Sequence, residues 1–117
     1  MLENAASRAR WSAGRVTLLG DAAHPMFPFF AQGAAQAIED GAVLARCLAD
    51  GIADPAAALR AYEAERLPRA SRLQEISHAR MHVNHLPDGP EQRTRDAGFA
   101  GTDPLVANGW IYAYDPA

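Results

Sequence analysis

Asp21 is followed, twelve residues later, by Gly33 and the small residues Ala34 and Ala35. A carboxylate accepts hydrogen bonds from ligand hydroxyls, and a helix start offers free N–H groups and a partial positive charge. The order of the segment favours both uses. Arg15-Val16-Thr17-Leu18-Leu19 is a short run rich in β-formers, and Asp21 stands just past its end. A Pro/Phe-rich loop, Pro25-Met26-Phe27-Pro28-Phe29-Phe30, comes next, and an alanine-rich helical pattern opens at Gly33. In open α/β sheets, ligands bind beyond the carboxyl ends of strands. Asp21 and the amides of Ala34 and Ala35 are therefore expected to bracket one pocket, the amides donating to an electron-rich ring oxygen or nitrogen. The plainer alternative is a βα turn whose aspartate caps the helix, but Asp21 lies too far ahead of Gly33 to cap it directly.

Other residues offer weaker chemistry. His78, His82 and His85 share a helical face at spacings of four and three, a pattern that holds metals. No catalytic glutamate follows His78, and His85 precedes the helix-ending Leu86-Pro87, so a packed or solvated histidine face is preferred and no metal is expected. Ser71 and Ser77 lack a nucleophile-elbow context. Cys47 is the single cysteine, which excludes an internal disulfide, and its apolar helical setting reads as a core thiol. Phe27, Phe29 and Phe30 either line an aromatic substrate pocket or form the core of their own loop.

Two helices must carry these groups. The first spans Gly33–Asp50, with Ala34, Ile38, Ala42, Ala45 and Leu48 on one face, and Asp50-Gly51 is a stop with glycine at the left-handed position. Glu39 and Asp40 fall beyond its first turn and read as a solvated or locally paired face. The second begins at the cap Asp54-Pro55 and runs to about Asn84, with Leu59, Tyr62, Leu67, Ala70, Leu73, Ile76 and Val83 as its apolar stripe. Pro68 removes the hydrogen bond to the Ala64 carbonyl and is expected to kink or split that helix. Arg66 and Arg69 are expected to pair with Glu63 and Glu65 on the surface. Trp11 is the one large anchor before the strand, and Ser12-Ala13-Gly14 reads as a turn into it. The strand at Arg15–Leu19 reads as buried on both faces. Its backbone needs partner strands, yet almost nothing else in the chain looks like one. Residues 86–109 read as a turn-rich loop, with a generic hairpin signal at Asn108-Gly109.

The 117 residues allow one domain at most, and the net charge is −3. No basic block points to nucleic acid or to a lipid headgroup surface. No apolar run approaches the roughly 20 residues of a membrane helix. Met1-Leu2-Glu3-Asn4 has neither the charged nor the apolar region of a secretory leader, so the expected compartment is the cytoplasm.

The run Gly20-Asp21-Ala22-Ala23-His24-Pro25-Met26, with Pro28, Gln32-Gly33 and Ala37-Ile38-Glu39-Asp40, resembles the second FAD-binding motif of the group A flavoprotein aromatic monooxygenases, in its salicylate-hydroxylase-like branch. Glu63-Ala64-Glu65-Arg66-Leu67-Pro68-Arg69 and the tail from Asp88-Gly89-Pro90 to Trp110-Ile111-Tyr112 are similar to later parts of the same family. The resemblance implies that Asp21 binds the FAD ribityl chain and that Pro28 lies beside the isoalloxazine ring and the substrate. It implies that the backbone at Gly33, Ala34 and Ala35 faces the flavin N1 and C2 oxygen. Two positions depart from the pattern: Ala31 stands where the family usually has glycine, and Ala35 where it often has a polar or larger residue. A backbone contact survives an alanine unless the site needs a positive φ.

The fold implied is a mostly helical α/β fragment. It is the C-terminal part of a Rossmann-like FAD-binding monooxygenase domain, with one strand, two long helices and an irregular tail. Residues 1–85 would belong to that domain and residues 86–117 to the tail. The complete enzyme would hydroxylate an aromatic acid using NADH or NADPH and O2. The Gly-x-Gly-x-x-Gly turn that holds the FAD pyrophosphate is absent here, so no catalytic residue is assigned and a missing N-terminal half is implied. The alternative is a non-catalytic remnant or a small helical interaction module.

Overall fold

A computed structural model describes residues 9–117. The reading of Met1-Leu2-Glu3-Asn4 lies outside the described residues. The first elements among the described residues are β1 (Ser12–Ala13) and β2 (Val16–Thr17), an antiparallel pair joined by Gly14-Arg15. The expected strand is thus shorter than Arg15–Leu19, and its partner is the segment just before it. It is not buried on both faces, since Val16 is 68% exposed. The physical reason is local. The two-residue turn folds the chain back on itself, and the Ser12 and Thr17 hydroxyls meet across the pair at 2.8 Å. No second sheet occurs among the described residues.

Two 3-10 turns follow, Gly20–Ala22 and Pro28–Phe30. Then come α1 (Gly33–Asp50) and α2 (Pro55–Asn84). α1 has the expected bounds. The Asp54 carboxylate caps α2 by accepting from the Ala57 amide at 3.0 Å, as its cap signal requires. α2 continues through Pro68 as one unsplit helix of 30 residues. Gly51, expected in a left-handed conformation, has φ −110. Its small size is needed for another reason: a Cβ there would lie 2.9 Å from the Ala58 Cβ, where the two helices converge.

The tail is helical rather than looped. α3 spans Pro90–Ala100, α4 Pro104–Ala107 and α5 Gly109–Tyr112. Pro90 at the first position of α3 and Thr94 Oγ1 donating to the Pro90 carbonyl at 3.0 Å stabilise its first turn. The hairpin expected at Asn108-Gly109 is not formed. Asn108 has φ −104, whereas a tight hairpin of that type needs positive φ at both turn residues, and the segment links two short helical turns instead.

The core gathers Trp11, Ala23, Val43, Tyr62 and Ala70, flanked by Leu18, Leu44, Cys47 and Leu67. Tyr62 donates its hydroxyl to the Leu18 carbonyl at 3.1 Å, and burial pushes its phenol pKa up. The hairpin is pinned to α2 by the Glu63 carboxylate, which accepts from the amides of Trp11 and Ser12. The face of α1 that packs inward is not the expected one. Gln36, Asp40 and Val43 are buried, whereas Ala34, Ala42 and Ala45 are exposed and Ile38 is 74% exposed.

The inward face of α1 is polar because it meets a buried arginine. Arg66, wholly buried, donates to Asp40 Oδ1 at 2.8 Å, to Glu39 Oε2 at 2.7 Å and to Gln36 Oε1 at 2.7 Å. Arg69 shares Glu39 and also donates to the carbonyls of Trp110 and Ile111, at 3.0 and 2.8 Å. Tyr114 lies over both guanidinium groups, and Trp110 over those of Arg69 and Arg72. This replaces the expected surface pairing. Glu63 serves the hairpin, and Glu65 accepts from Arg46 and from the Tyr114 hydroxyl. Burial alone would push the Asp40 carboxyl up. The hydrogen bonds from His24, Arg66 and the Gly20 amide outweigh it and hold the group below the usual carboxylate range. Glu39 is held low in the same way, its burial outweighed by the hydrogen bonds and charges of Arg69 and Arg66.

Two predictions follow from this packing. Arg66→Ala leaves the buried Asp40 carboxylate without its guanidinium partner and should cost about 3–5 kcal/mol in urea unfolding followed by helical circular dichroism. In the unaltered chain the depressed carboxylates contribute stability above the ordinary carboxylate range and lose it as pH falls through their folded values. The urea midpoint should therefore drop on acidification below about pH 4 and stay level above it. A third prediction concerns Ala31, which has φ 52 and ψ 31. A left-handed alanine costs about 1–2 kcal/mol, and glycine returns about 0.5–1 of that as unfolded-chain entropy. Ala31→Gly should raise stability by about 0.5–1 kcal/mol, and an unchanged or lowered urea midpoint would contradict this account.

Candidate functional site

The loop between β2 and α1 folds so that residues distant in sequence meet at the start of α1. Gly20 has φ 61, and a Cβ there would lie 3.2 Å from the Ala37 Cβ, so glycine is what seats this turn on the helix. The amides of Ala23 and His24 both donate to the Gly20 carbonyl at 2.9 Å, closing the turn. His24 is fully buried beside Trp11, with ring centroids 5.4 Å apart, and donates from Nε2 to the Asp40 carboxylate. Asp21, between Gly20 and His24, is exposed.

The same turn brings Asp21 to the helix start. A Cβ built on Gly33 would sit 3.9 Å from Asp21 Oδ1. The first amides of a helix have no partner within it, and Gln32 supplies no side-chain cap. No acidic residue occupies the first turn of α1, so its positive end meets the carboxylate of Asp21 from outside the helix. Asp21 and Gly33, the first residue of α1, therefore stand close together. The arrangement offers an anionic acceptor for hydroxyls next to unpaired N–H donors for an electron-rich ring.

Pro28 is exposed on the loop leading to this point. The three phenylalanines turn toward α2. Phe27 lies 5.7 Å from the His78 ring, Phe29 lies 6.3 Å from that of His85, and Phe30 lies beneath the guanidinium of Arg80 at 5.3 Å. These contacts pack the loop onto α2. They also occupy two of the three histidines, and no metal-holding cluster occurs among the described residues. His85 Nδ1 donates to the Met81 carbonyl. Cys47 packs against the core, where burial raises its thiol pKa, in keeping with a structural role.

Four residues that shape the loop are absent from the sequence reading of the site: Asp40, Arg66, Gln74 and Ser77. Gln74 Nε2 donates to the Pro25 carbonyl at 2.8 Å, and Ser77 Oγ to the Phe27 carbonyl at 2.6 Å. Their signal is positional. Arg66, Gln74 and Ser77 fall at helical spacing on the stripe that holds Tyr62, Ala70 and Leu73, where a polar residue must serve a buried partner.

Comparison with known proteins supplies the context. The FAD binding domain family matches residues 2–77. A 3-amino-4-hydroxybenzoate 2-monooxygenase of Streptomyces platensis is 51% identical over 107 residues, covering 92% of this chain and 27% of the relative. A 6-hydroxynicotinate 3-monooxygenase of Pseudomonas fluorescens is 61% identical over 69 residues, covering 58% of this chain and 18% of the relative. A 3-hydroxybenzoate 6-hydroxylase of Aquipseudomonas alcaligenes is 41% identical over 105 residues, covering 87% and 26%. The chain spans about a quarter of the length of the first and third of these relatives. Through that match, which includes the Asp21 turn and the start of α1, the chain belongs to the FAD binding domain family of flavin-dependent aromatic monooxygenases.

Proposed function

We propose that this chain forms the ribityl and ring-edge side of an FAD site within a longer flavoprotein that hydroxylates an aromatic acid with NADH or NADPH and O2. The observation that carries the reading is the approach of the Asp21 carboxylate to the first residue of α1. Asp21 accepts from cofactor hydroxyls. The amides of Gly33, Ala34 and Ala35 donate to the electron-rich edge of the ring, where a helix N-terminus favours negative charge by about 0.3–1 kcal/mol. Pro28, exposed on the loop that leads to α1, borders the substrate side. When bound, FAD supplies the redox chemistry between the nicotinamide and oxygen. The chain's own residues bind and orient it.

A larger partner structure is part of the reading. α1 leaves Ala34, Ile38, Ala42 and Ala45 exposed, and Val16 and Leu19 are also 68% and 38% exposed. The radius of gyration is 17.0 Å, against about 13 Å for a compact chain of this length. Surface of this kind matches a segment that packs on the rest of a flavin domain, here Rossmann-like, with residues 1–85 in that domain and 86–117 as its tail. A cytoplasmic setting accords with the use of a soluble nicotinamide. No helix among the described residues is long and apolar enough to cross a membrane.

The purified chain is expected to be colourless and to leave NAD(P)H unoxidised when given an aromatic acid. Joining it to the N-terminal three quarters of the S. platensis relative should restore flavin absorption. In that completed flavoprotein Asp21→Ala should weaken FAD affinity by roughly ten- to hundredfold, the loss of one charge-assisted hydrogen bond. A yellow isolated chain with stoichiometric flavin, or unchanged FAD affinity in the Asp21 variant, would overturn the reading.

A further inference from the structure

Gly20 and His24 bracket Asp21, and both are tied to one oxygen atom. Asp40 Oδ2 accepts from the Gly20 amide at 3.0 Å and from His24 Nε2. The other oxygen, Oδ1, accepts from Arg66 Nε at 2.8 Å. The side chains of His24, Asp40 and Arg66 are wholly withdrawn from solvent. Asp40, Glu39, Arg66 and Arg69 carry two charges of each sign, so these four groups are neutral together.

We infer that Asp40 is a positioning residue for Asp21. Its carboxylate, held in place by Arg66, fastens both ends of the Gly20–His24 turn to α1 and sets where the Asp21 carboxylate stands relative to the helix start. The consequence for flavin rests on the proposed role of Asp21; the fastening itself does not. A carboxylate is required because three donors converge on two oxygens. Asparagine offers a single oxygen and turns an NH2 group toward an N–H donor on one side or the other. Glutamate adds a methylene to a buried site with no room for it. The other holds of the turn on α1 are apolar, with Ala23 buried in one core cluster with Val43. Asp21 itself is exposed, and the Gly20 contact with Ala37 is apolar and small.

The test has two arms. In the 15N-labelled 117-residue chain, the Gly20 amide should exchange slowly, and His24 should carry its ring proton on Nε2. In Asp40→Asn that protection should fall at least tenfold while the middle of α1 and α2 keeps its own. In the completed flavoprotein described above, Asp40→Asn should weaken FAD binding about tenfold. His24→Leu should weaken it too, and His24→Gln, which restores a donor at the Nε2 position, should recover it. The His24 pair leaves the Asp40–Arg66 contact intact and decides the matter if Asp40→Asn does not fold. A Gly20 amide that exchanges at the free-chain rate in the unaltered protein overturns the inference. So does an FAD affinity that falls in Asp21→Ala but not in Asp40→Asn or His24→Leu, a result that leaves the flavin role of Asp21 standing. If Asp21→Ala leaves FAD affinity unchanged, the proposed role of Asp21 fails, and the exchange arm alone decides whether Asp40 holds the turn.

Discussion

The Arg66 guanidinium is the group on which the rest of the structure depends. It lies with no exposed surface between α1 and α2, and a buried cation is tolerated only when its donors are matched. Matching them fixes Gln36, Glu39 and Asp40 on the inward side of α1, which determines how that helix is rotated. Rotation then decides what remains outside: the small residues and Ile38. A pair of helices packed by apolar contacts alone could turn about their axes at modest cost. A pair joined by this cluster cannot, because each donor has one acceptor geometry.

From that fixed helix the remaining parts take their places by short steps. Asp40 receives the turn before Pro25, and Glu63 on α2 receives the backbone of the hairpin. Gln74 and Ser77 hold the carbonyls of the proline-rich loop. Arg69 holds the carbonyls of the C-terminal segment. In each case a side chain on a long helix satisfies main-chain groups of an irregular segment. A chain with only two residues in each strand can order its loops in this way, since no sheet beyond that one short pair is present among the described residues to satisfy them.

Much of this was legible in the sequence. Pro55 after Asp54 and the small residues from Gly33 fixed the helix starts, because capping and proline geometry are local. The pairing of Asp21 with the start of α1 was legible from the order of elements. What escaped is what depends on contacts between segments. Alanine-rich α1 has small residues all round, so its apolar periodicity could not tell the buried face from the open one. Arg66 and Asp40 are charged, and charge alone reads as surface; their burial follows only once α1 and α2 are brought together. The hairpin signal at Asn108-Gly109 failed because the backbone there takes ordinary negative φ, and the strand at Arg15–Leu19 was over-extended because a turn inside the polar segment ahead of it supplied the partner.

The hold on the C-terminal segment has a consequence for how this protein tolerates change over time. Arg69 grips the carbonyls of Trp110 and Ile111, and every amino acid has a carbonyl. The grip itself therefore makes no demand on side-chain type; that demand comes from the buried Ile111 and from the flat rings over the arginines at Trp110 and Tyr114. A substitution in this stretch that keeps a buried side chain at position 111 and the two rings leaves the carbonyl contacts to Arg69 in place. The end of the chain is thus specified more by its backbone than by its spelling.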